Sequence, residues 1–317
     1  MNKDIIVYFK KTGFRGGPKI FRDRLRPVLK GVQGLKIVSQ TQNDMDIELA
    51  FIRSKERHTK PIVLRVDGCY YRKDHLRRNA SILASLRQAK HIIFQSNYSM
   101  NMVTTMLKYK PKKSTVIYNG IDQSYVDSIS KATDIEPDSF VAVSHGWRKR
   151  SDKRIHSTIM GFLSASLNKH LYIIGDVDKY ITKKYSKNNN VHFLGVLIGK
   201  RLLSVMKACK YQMHLCRIDS CPNAVVEGLA CGLNVLCTNL GGTREIVKND
   251  GIILDVDQWN FSPIGSKNYD NVSPNSVADG IELLLKIKTK PNRPDIDIKK
   301  TAEAYANVIK KEAGTIT

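Results

Sequence analysis

Residues 211–247 constrain the fold of this chain more than any other segment. The apolar run 211–216 is typical of a buried strand, and a helix is predicted to begin at Pro222, because proline suits the first helical position, where no N–H is needed. A second apolar run, 234–238, predicts another buried strand after the helix. Strand, turn, helix and strand in this order form the repeating unit of a parallel α/β sheet.

Two carboxylates flank the start of this helix. Asp219 lies in the turn and Glu227 lies one turn inside the helix, so both can flank one ligand. The first backbone N–H groups of the helix, near Asn223 and Ala224, favour a phosphate there. Since carboxylates accept hydrogen bonds from sugar hydroxyls, a nucleotide sugar satisfies both features. A strand, turn and helix with acids at both ends is also common in α/β proteins without such a ligand.

The spacing Asp219-x7-Glu227 resembles the donor-binding signature of the family 4 (group 1) retaining glycosyltransferases, which have the two-domain GT-B fold. The sequence D-S-C-P-N-A-V-V-E is similar to a variant of that signature with Cys-Pro-Asn after the acid. At the first position of the signature, the family has Glu more often than Asp. The resemblance implies catalytic or donor-binding roles for both acids. The neighbouring residues that it places on the donor are Cys221, Pro222, Asn223 and Ala224.

Other motifs resemble the same family. Arg148 and Lys153 have the spacing of its donor-phosphate pair, which implies that they neutralise the leaving diphosphate; a run of surface charge is the alternative. Gly195 and Val196 resemble the loop in which relatives seat the nucleotide base. The sequence Y-N-G-I-D at 118–122 resembles the turn that ends the family's first domain.

The first half of the chain offers three further candidate residues. Gly16 and Gly17 lie in a predicted loop after the first strand, where glycine lets the backbone approach a ligand, and the resemblance implies a place near the donor phosphates. Asp67 follows a buried strand, at the end where open α/β sheets place ligands. Many relatives have a histidine near this position, in the acceptor-side wall. A turn-capping carboxylate is the alternative interpretation of Asp67.

Alternating strands and helices along 317 residues predict an α/β protein with two Rossmann-like domains. We expect an acceptor-side domain at 1–130, a nucleotide-sugar-binding domain at 131–292 and a C-terminal helix at 293–317. The polar segment 130–139 is the expected linker. In the GT-B fold that the resemblance implies, the two domains face a cleft and the C-terminal helix crosses back to the first domain.

The chain is strongly basic, with a net charge of +23, and most of the excess lies in residues 1–130. Such charge attracts nucleic acid, an acidic membrane leaflet or an anionic glycan, while a lysine-rich solvated surface is the plain alternative. Residues 71–88 predict a basic amphipathic helix that can rest on an anionic leaflet or form a solvated outer face of the domain. No nucleic-acid-reading motif accompanies the charge, so nucleic acid is the least favoured of these partners.

Six cysteines without CxxC spacing favour buried free thiols over a zinc site, in a reduced cytoplasmic protein. No segment has the roughly 20 apolar residues of a membrane span, so membrane contact is expected to be peripheral. We expect no cofactor and no metal. Residues 176–178 have the D-x-D pattern of a metal site, but they follow a second-domain strand, and the family that the chain resembles needs no metal.

The expected reaction is transfer of a glycosyl group from a UDP- or GDP-linked sugar to a glycan or lipid-linked acceptor, with the retained anomeric configuration that the resemblance implies. Four alternatives stay open: a DNA-modifying glycosyltransferase, a nucleotide-sugar epimerase, a non-catalytic nucleotide- or glycan-binding module, and a nucleic-acid-binding protein. Donor turnover separates the enzymes from the binding proteins, and the salt dependence of DNA affinity tests the nucleic-acid interpretations.

Overall fold

The computed structural model describes residues 3–11, 16–54, 58–256, 258–265 and 271–314. The chain forms two compact units. Unit 1 consists of Met1–Asp122, Asn260–Asn268 and Asp295–Thr317, and unit 2 consists of Gln123–Trp259 and Tyr269–Pro294. Each unit contains a parallel sheet with helices, which confirms the α/β class with two Rossmann-like domains.

The strands of unit 1 are short apolar runs, and most are buried along their whole length, as expected of a sheet covered on both faces. They are β1 (Ile5–Tyr8), β2 (Leu35–Val38), β3 (Ile47–Phe51), β4 (Ile62–Val66), β5 (His91–Phe94) and β6 (Ser114–Val116). Their order in the described sheet is β2-β1-β3-β4-β5-β6. The main helices are α1 (Gly16–Lys30), α2 (Asn79–Gln88), α3 (Asn97–Met106) and the last helix of the chain, α11 (Ile298–Ala313).

Helix α11 completes the core of unit 1, into which it buries five side chains. These are Ile298, Ala302, Tyr305, Ala306 and Ile309. The N-G-I-D turn at 119–122 binds the start of this helix through two backbone hydrogen bonds. Ile121 N–H donates to the Ile296 oxygen and Ile298 N–H donates to the Ile121 oxygen, each at 3.0 Å. A Cβ atom at Gly120 would lie 2.6 Å from Thr301 Oγ1, so this close approach requires glycine.

Glu312, near the end of α11, is buried beside three basic side chains. Lys113 Nζ and His91 Nδ1 each lie 3.3 Å from Glu312 Oε1, and Lys90 Nζ donates to the Glu312 backbone oxygen at 2.7 Å. Burial raises the pKa of Glu312, but hydrogen bonds from His91 and Lys113 outweigh it and bring the pKa below its ordinary value. Burial likewise lowers the pKa of His91.

Unit 1 is therefore expected to lose stability in acid. Both pKa values are lower in the folded state than in the unfolded chain, so the stabilisation is complete above the ordinary values, 6.5 for His91 and 4.5 for Glu312, and is lost as the pH falls through the folded values. Hydrogen exchange of α11 amides between pH 5 and pH 3, corrected for the intrinsic pH dependence of exchange, measures the part of this loss that belongs to Glu312. Glu312→Gln should weaken the pH dependence, whereas Glu303→Gln, an exposed acid on the same helix, should not. Equal dependence in both variants would contradict this role for Glu312.

Unit 2 contains the second described sheet, with the order β12-β11-β10-β7-β8-β9. Its strands are β7 (Phe140–Val143), β8 (Leu171–Ile174), β9 (Val191–Gly195), β10 (Tyr211–His214), β11 (Asn234–Thr238) and β12 (Gly251–Leu254). Its helices are α4 (Gln123–Asp127), α5 (Ile155–Ser164), α6 (Lys179–Tyr185), α7 (Gly199–Ala208), α8 (Asn223–Ala230), α9 (Thr243–Val247) and α10 (Pro274–Leu285).

Two predicted helices of unit 1 differ from the observed ones. The prediction of a single amphipathic helix over residues 71–88 was wrong, because Lys73–Arg78 forms a 3-10 helix without buried residues and α2 begins at Asn79. The Asn79 side chain exchanges two 2.8 Å hydrogen bonds with the backbone of Tyr70, which holds the start of α2 against the segment that precedes the 3-10 helix. Gly16 and Gly17 were predicted in a loop but are the first residues of α1; positions 12–15 of that loop lie outside the described residues. None of the described helices is both long and apolar enough to cross a bilayer.

Candidate active site

The strand order of unit 2 reverses at β7. The chain proceeds from β7 to β8 and β9 on one side, and from β10 to β11 and β12 on the other. Open α/β sheets bind ligands beyond the carboxyl ends of the strands that flank such a switch point. The loops that follow β7 and β10 therefore mark the site, and these loops carry Lys153 and Asp219.

Lys153 and Asp219 form a largely buried ion pair. Lys153 Nζ lies 2.5 Å from Asp219 Oδ2, with the lysine side chain 8% exposed and the aspartate side chain 22% exposed. Burial raises the pKa of Asp219, but the charges of Lys153 and neighbouring groups outweigh it and lower the pKa. Burial lowers the pKa of Lys153, but Asp219 outweighs it and raises the pKa. Both groups are therefore charged at neutral pH.

Backbone contacts hold the two loops together. The Asp152 backbone oxygen accepts a 2.8 Å hydrogen bond from Arg217 N–H, which joins the loop after β7 to the loop after β10. The buried Asp152 carboxylate lies 2.6 Å from an Arg150 guanidinium nitrogen. On the other side, the Asp219 backbone oxygen accepts a 2.8 Å hydrogen bond from Gly242 N–H, in the turn before α9. These contacts thus hold the backbone of the two loops that carry the ion pair.

A histidine and a cysteine adjoin the carboxylate of Asp219. A His214 ring nitrogen, Cys216 Sγ and an Asp219 oxygen all lie within 4.8 Å of one another. Burial, followed by the charge of Lys153, lowers the pKa of His214 to about 3, so the imidazole is neutral. Burial also raises the pKa of Cys216 to about 12, which keeps it a thiol. All six cysteines are free and five are buried, in agreement with the prediction of free thiols.

Helix α8 begins one residue later than predicted. Pro222 precedes the helix, and its oxygen accepts hydrogen bonds from the N–H groups of Val225 and Val226 at 3.0 and 3.2 Å. The first two helical residues are Asn223 and Ala224, as the anion-site prediction requires. The residue before Pro222, Cys221, is buried and follows directly from the turn that carries Asp219.

Tight packing against β10 fixes the position of Glu227. A Cβ atom at Gly228 would lie 1.9 Å from Gln212 Oε1, and Gln212 Nε2 donates to the Ala224 oxygen at 2.9 Å. Glu227 itself is buried. Glycine at position 228 therefore lets α8 approach the sheet closely, which fixes the helix that carries this carboxylate.

The two predicted phosphate ligands have different surroundings. Lys153 pairs with Asp219, whereas Arg148 is exposed, with a guanidinium nitrogen 4.0 Å from Asp176 Oδ1. The Arg148 N–H also donates to the Asp176 oxygen at 2.9 Å. Of the predicted D-x-D, Asp176 thus lies beside Arg148 and Asp178 caps the start of α6, which agrees with its interpretation as a turn.

The predicted base-binding residues lie at the carboxyl end of β9. Gly195 is the last residue of that strand, and its φ of +68° is a left-handed conformation that glycine adopts without strain. Val196 is 55% exposed. Since β8 and β9 are parallel neighbours, this loop lies at the same edge of the sheet as Lys153 and Asp219.

The candidate residues of unit 1 lie at the carboxyl edge of its own sheet. Asp67 follows β4 and forms an ion pair with the guanidinium of Arg65, which is 1% exposed. The same guanidinium donates to Gln95 Oε1 and Asn119 Oδ1, each at 2.9 Å. The Asp67 carboxylate is 21% exposed, so it is fixed on one side and open to solvent on the other.

Two family models match this chain and together account for most of its length. The model described as Glycosyltransferase Family 4 matches residues 5–125, and the model described as Glycosyl transferases group 1 matches residues 163–301. The chain belongs to this family of glycosyltransferases. The second match contains Asp219 and Glu227, and the first contains Asp67.

Known proteins resemble this glycosyltransferase in sequence and in fold. One subunit of the human phosphatidylinositol N-acetylglucosaminyltransferase is 27% identical over 191 residues, which cover 56% of this chain but only 37% of the human protein. A glycosyltransferase structure from Rickettsia africae has a TM-score of 0.69 at 13% identity, over 99% of this chain and 100% of the other. Anabaena Alr3699/HepE, solved in complex with UDP, has a TM-score of 0.68 at 16% identity, over 97% and 100%. The fold is that of the GT-B glycosyltransferases.

Sequence reasoning missed three residues of the candidate site. Arg150 and Asp152 frame the ion pair, and His214 lies 3.7 Å from Asp219 Oδ2. His214 ends a buried strand, where a polar side chain is unusual, and this was a signal for a site. The acid two residues after Arg150 was hidden by the run of basic residues around it.

Proposed function

We propose that this glycosyltransferase moves a glycosyl group from a nucleoside diphosphate sugar to a hydroxyl of a glycan or lipid-linked acceptor, with retention of the anomeric configuration. The observation that carries the proposal is the 2.5 Å contact between Lys153 Nζ and Asp219 Oδ2 at the switch point of the unit 2 sheet. This contact brings together two motifs, 66 residues apart, that were each matched to the donor site of the family.

Lys153 is suited to stabilise a departing diphosphate. Negative charge grows on the leaving group as the glycosidic bond breaks, and a fixed cation in a water-poor site stabilises that charge strongly. Asp219 keeps Lys153 protonated and oriented, while the helix dipole and first N–H groups of α8 add to the positive potential beside it. A diphosphate oxygen then competes with Asp219 for the ammonium group.

Glu227 is proposed to accept hydrogen bonds from the ribose hydroxyls. Glu227→Gln keeps the shape but replaces a charged acceptor with a neutral one, so donor affinity should fall by about 1–3 kcal/mol, or roughly 5- to 150-fold. Isothermal titration with the nucleotide diphosphate measures this change. The matched control is Glu282→Gln on the exposed face of α10, which should bind like the parent. Unchanged affinity in Glu227→Gln would make Glu227 a structural residue.

A UDP-linked sugar is the first donor to test, with a GDP-linked sugar second. The Anabaena structure with the same fold was solved with UDP, and the human relative is named for N-acetylglucosaminyl transfer. In this proposal Gly195 and Val196 lie beside the base, and Arg148 assists Lys153 at the phosphates. Cys221 and Pro222 lie beside the donor, directly before the start of α8.

We infer that the reaction needs neither a metal nor a cofactor. His214, Cys216 and Asp219 offer three ligand atoms for a cation. However, the Lys153 ammonium group already lies 2.5 Å from the Asp219 oxygen, and its positive charge opposes a second cation in the same place. The same ammonium supplies the charge that a metal ion would bring to a diphosphate.

On the acceptor side we propose Asp67, with Gly16 and Gly17 near the donor phosphates. The Asp67 carboxylate pairs with Arg65 and is 21% exposed, so it can accept a hydrogen bond from an acceptor hydroxyl. We further propose that the enzyme works in the cytoplasm, where thiols stay reduced, and that its acceptor is anionic or presented at a membrane surface.

A thermal-shift screen with UDP, GDP, ADP and their sugars tests the donor, because a ligand that binds the native state raises the unfolding temperature by mass action. Incubation with the stabilising donor should then release nucleotide, and nuclear magnetic resonance of the glycosylated product should show the anomeric configuration of the donor. An inverted product would contradict retention. Stabilisation without turnover, with a range of glycan and lipid-linked acceptors, would favour a binding module.

A further inference from the structure

Eight basic residues of unit 1 gather at one edge of its sheet, which we call the lysine edge. They are Arg87, Lys90, Lys108, Lys110, Lys112, Lys113, Lys310 and Lys311. All are exposed except the half-buried Lys310. They come from three separate stretches of the chain, so their proximity follows from the fold and not from a single basic run.

The parallel topology explains this gathering. Helices α2 and α3 run back from the carboxyl edge of the sheet, so their C-terminal ends and the starts of β5 and β6 share the amino edge. Lys90 directly precedes β5, and Lys113 directly precedes β6. Glu312 contacts both lysines, which places the C-terminal end of α11 at the same edge.

Hardly any acid offsets this charge. Segments 84–90, 104–116 and 306–314 contain a single acidic residue, Glu312. That carboxylate is 1% exposed and already paired with Lys90, His91 and Lys113. The helix ends also favour cations, because the dipole of each helix is negative at its C-terminus. The exposed lysines therefore face solvent with a strong positive potential.

The lysine edge lies away from the candidate residues of unit 1. Asp67 follows the last residue of β4 and therefore lies at the carboxyl edge of the sheet, whereas the lysine edge lies at the amino edge. The lysine edge can therefore bind a partner that does not contact the carboxylate of Asp67. The basic surface of unit 1 thus contains a part that the proposed chemistry does not use.

We propose that the lysine edge docks the enzyme on an anionic lipid surface. Seven of its eight cations are lysines, whose compact charges suit a diffuse layer of headgroups, whereas nucleic-acid sites rely more on arginine forks. Nucleic-acid sites also present aromatic rings for base stacking. The exposed large apolar residues described in unit 1 are Ile20 and Tyr70, and both lie outside the three segments. The contact is therefore electrostatic.

Sedimentation with vesicles tests the proposal in the full chain. Vesicles of phosphatidylcholine with phosphatidylserine should bind the protein at low salt, and vesicles of phosphatidylcholine alone should not. Replacing Lys108, Lys110, Lys112 and Lys311 with Gln should weaken binding on the order of a thousandfold, since each lysine near such a surface contributes about 1 kcal/mol. These four were chosen because Lys90 and Lys113 also hold Glu312. The matched control replaces four exposed lysines of unit 2 with Gln: Lys183, Lys187, Lys288 and Lys290.

The outcomes separate the explanations. Equal loss in both quadruple variants would show a net-charge effect and overturn the proposal, as would equal binding to both vesicle types. A further outcome is that the protein binds a DNA or RNA duplex more tightly than it binds anionic vesicles. If the lysine-edge variant also loses that binding, the edge is a nucleic-acid site and the proposal is overturned. Unfolding temperatures of both variants check that they fold. Vesicle binding requires no donor, so its failure is distinct from failure of the proposed transfer reaction.

Discussion

Replacing Lys153 with Met is expected to slow glycosyl transfer about 10²- to 10³-fold, the usual effect of removing one fixed group that stabilises developing negative charge. Methionine nearly preserves the length of the side chain but removes its charge. Because that charge matters most as the diphosphate departs, turnover should fall more than donor affinity. Single-turnover kinetics with saturating donor measure the chemical step, and Lys290→Met, an exposed lysine of the same unit, is the control.

A double variant separates the two roles that Lys153 can have. If the lysine only neutralises Asp219, then Lys153→Met combined with Asp219→Asn should recover turnover, because no buried charge is left unpaired. If it stabilises the leaving group, the double variant should stay as slow as Lys153→Met. Recovery to the level of Asp219→Asn alone would refute the proposed contact with the diphosphate.

Replacing Arg65 with Met should destabilise unit 1 by about 3–5 kcal/mol, the range observed when one partner of a buried ion pair is removed. The guanidinium lies over the rings of Phe21 and Phe51, at 4.5 and 4.6 Å from their centroids. It also pairs with Asp67 and donates to two side-chain amides. Methionine fills the space between the rings but satisfies none of these polar partners.

Local probes are needed to measure that change, because both tryptophans, Trp147 and Trp259, lie in unit 2. Hydrogen exchange of peptides that span β4 and β5 should rise in Arg65→Met, while tryptophan fluorescence should report nearly unchanged unfolding of unit 2. Arg53→Met removes an exposed guanidinium from the same unit and should change the exchange little. Similar exchange in the two variants would mean that the Arg65 network adds no stability.

The fold was predictable because its elements depend on local patterns. Runs such as 234–238 are apolar over the length of one strand, and the observed strand Asn234–Thr238 has these bounds. Helix starts were less accurate: α8 begins at Asn223 and not at Pro222, and α1 begins at Gly16, which was predicted in a loop. Propensity fixes the presence of a helix, whereas tertiary contacts fix its first residue.

The candidate site was only partly predictable, because its contacts join distant positions. The spacing of two sequence motifs identified Lys153 and Asp219, but it assigned the two residues different roles. Only the structure shows that they form an ion pair. Spacing also grouped Arg148 with Lys153, whereas the structure places Arg148 beside Asp176. Arg148 and Lys153 lie in two short 3-10 turns, Trp147–Lys149 and Ser151–Lys153. Such short turns are difficult to predict from a segment in which most residues are charged.

Helix α11 has a consequence for synthesis on the ribosome. The described strands of unit 1 all lie before residue 117, yet the core that they form also needs Tyr305 and Ile309. Unit 2 has its described strands and helices between residues 123 and 285, so it can close its own core earlier. The part of unit 1 that is made first is therefore completed after unit 2, and a nascent chain exposes its apolar sheet until α11 has left the ribosome.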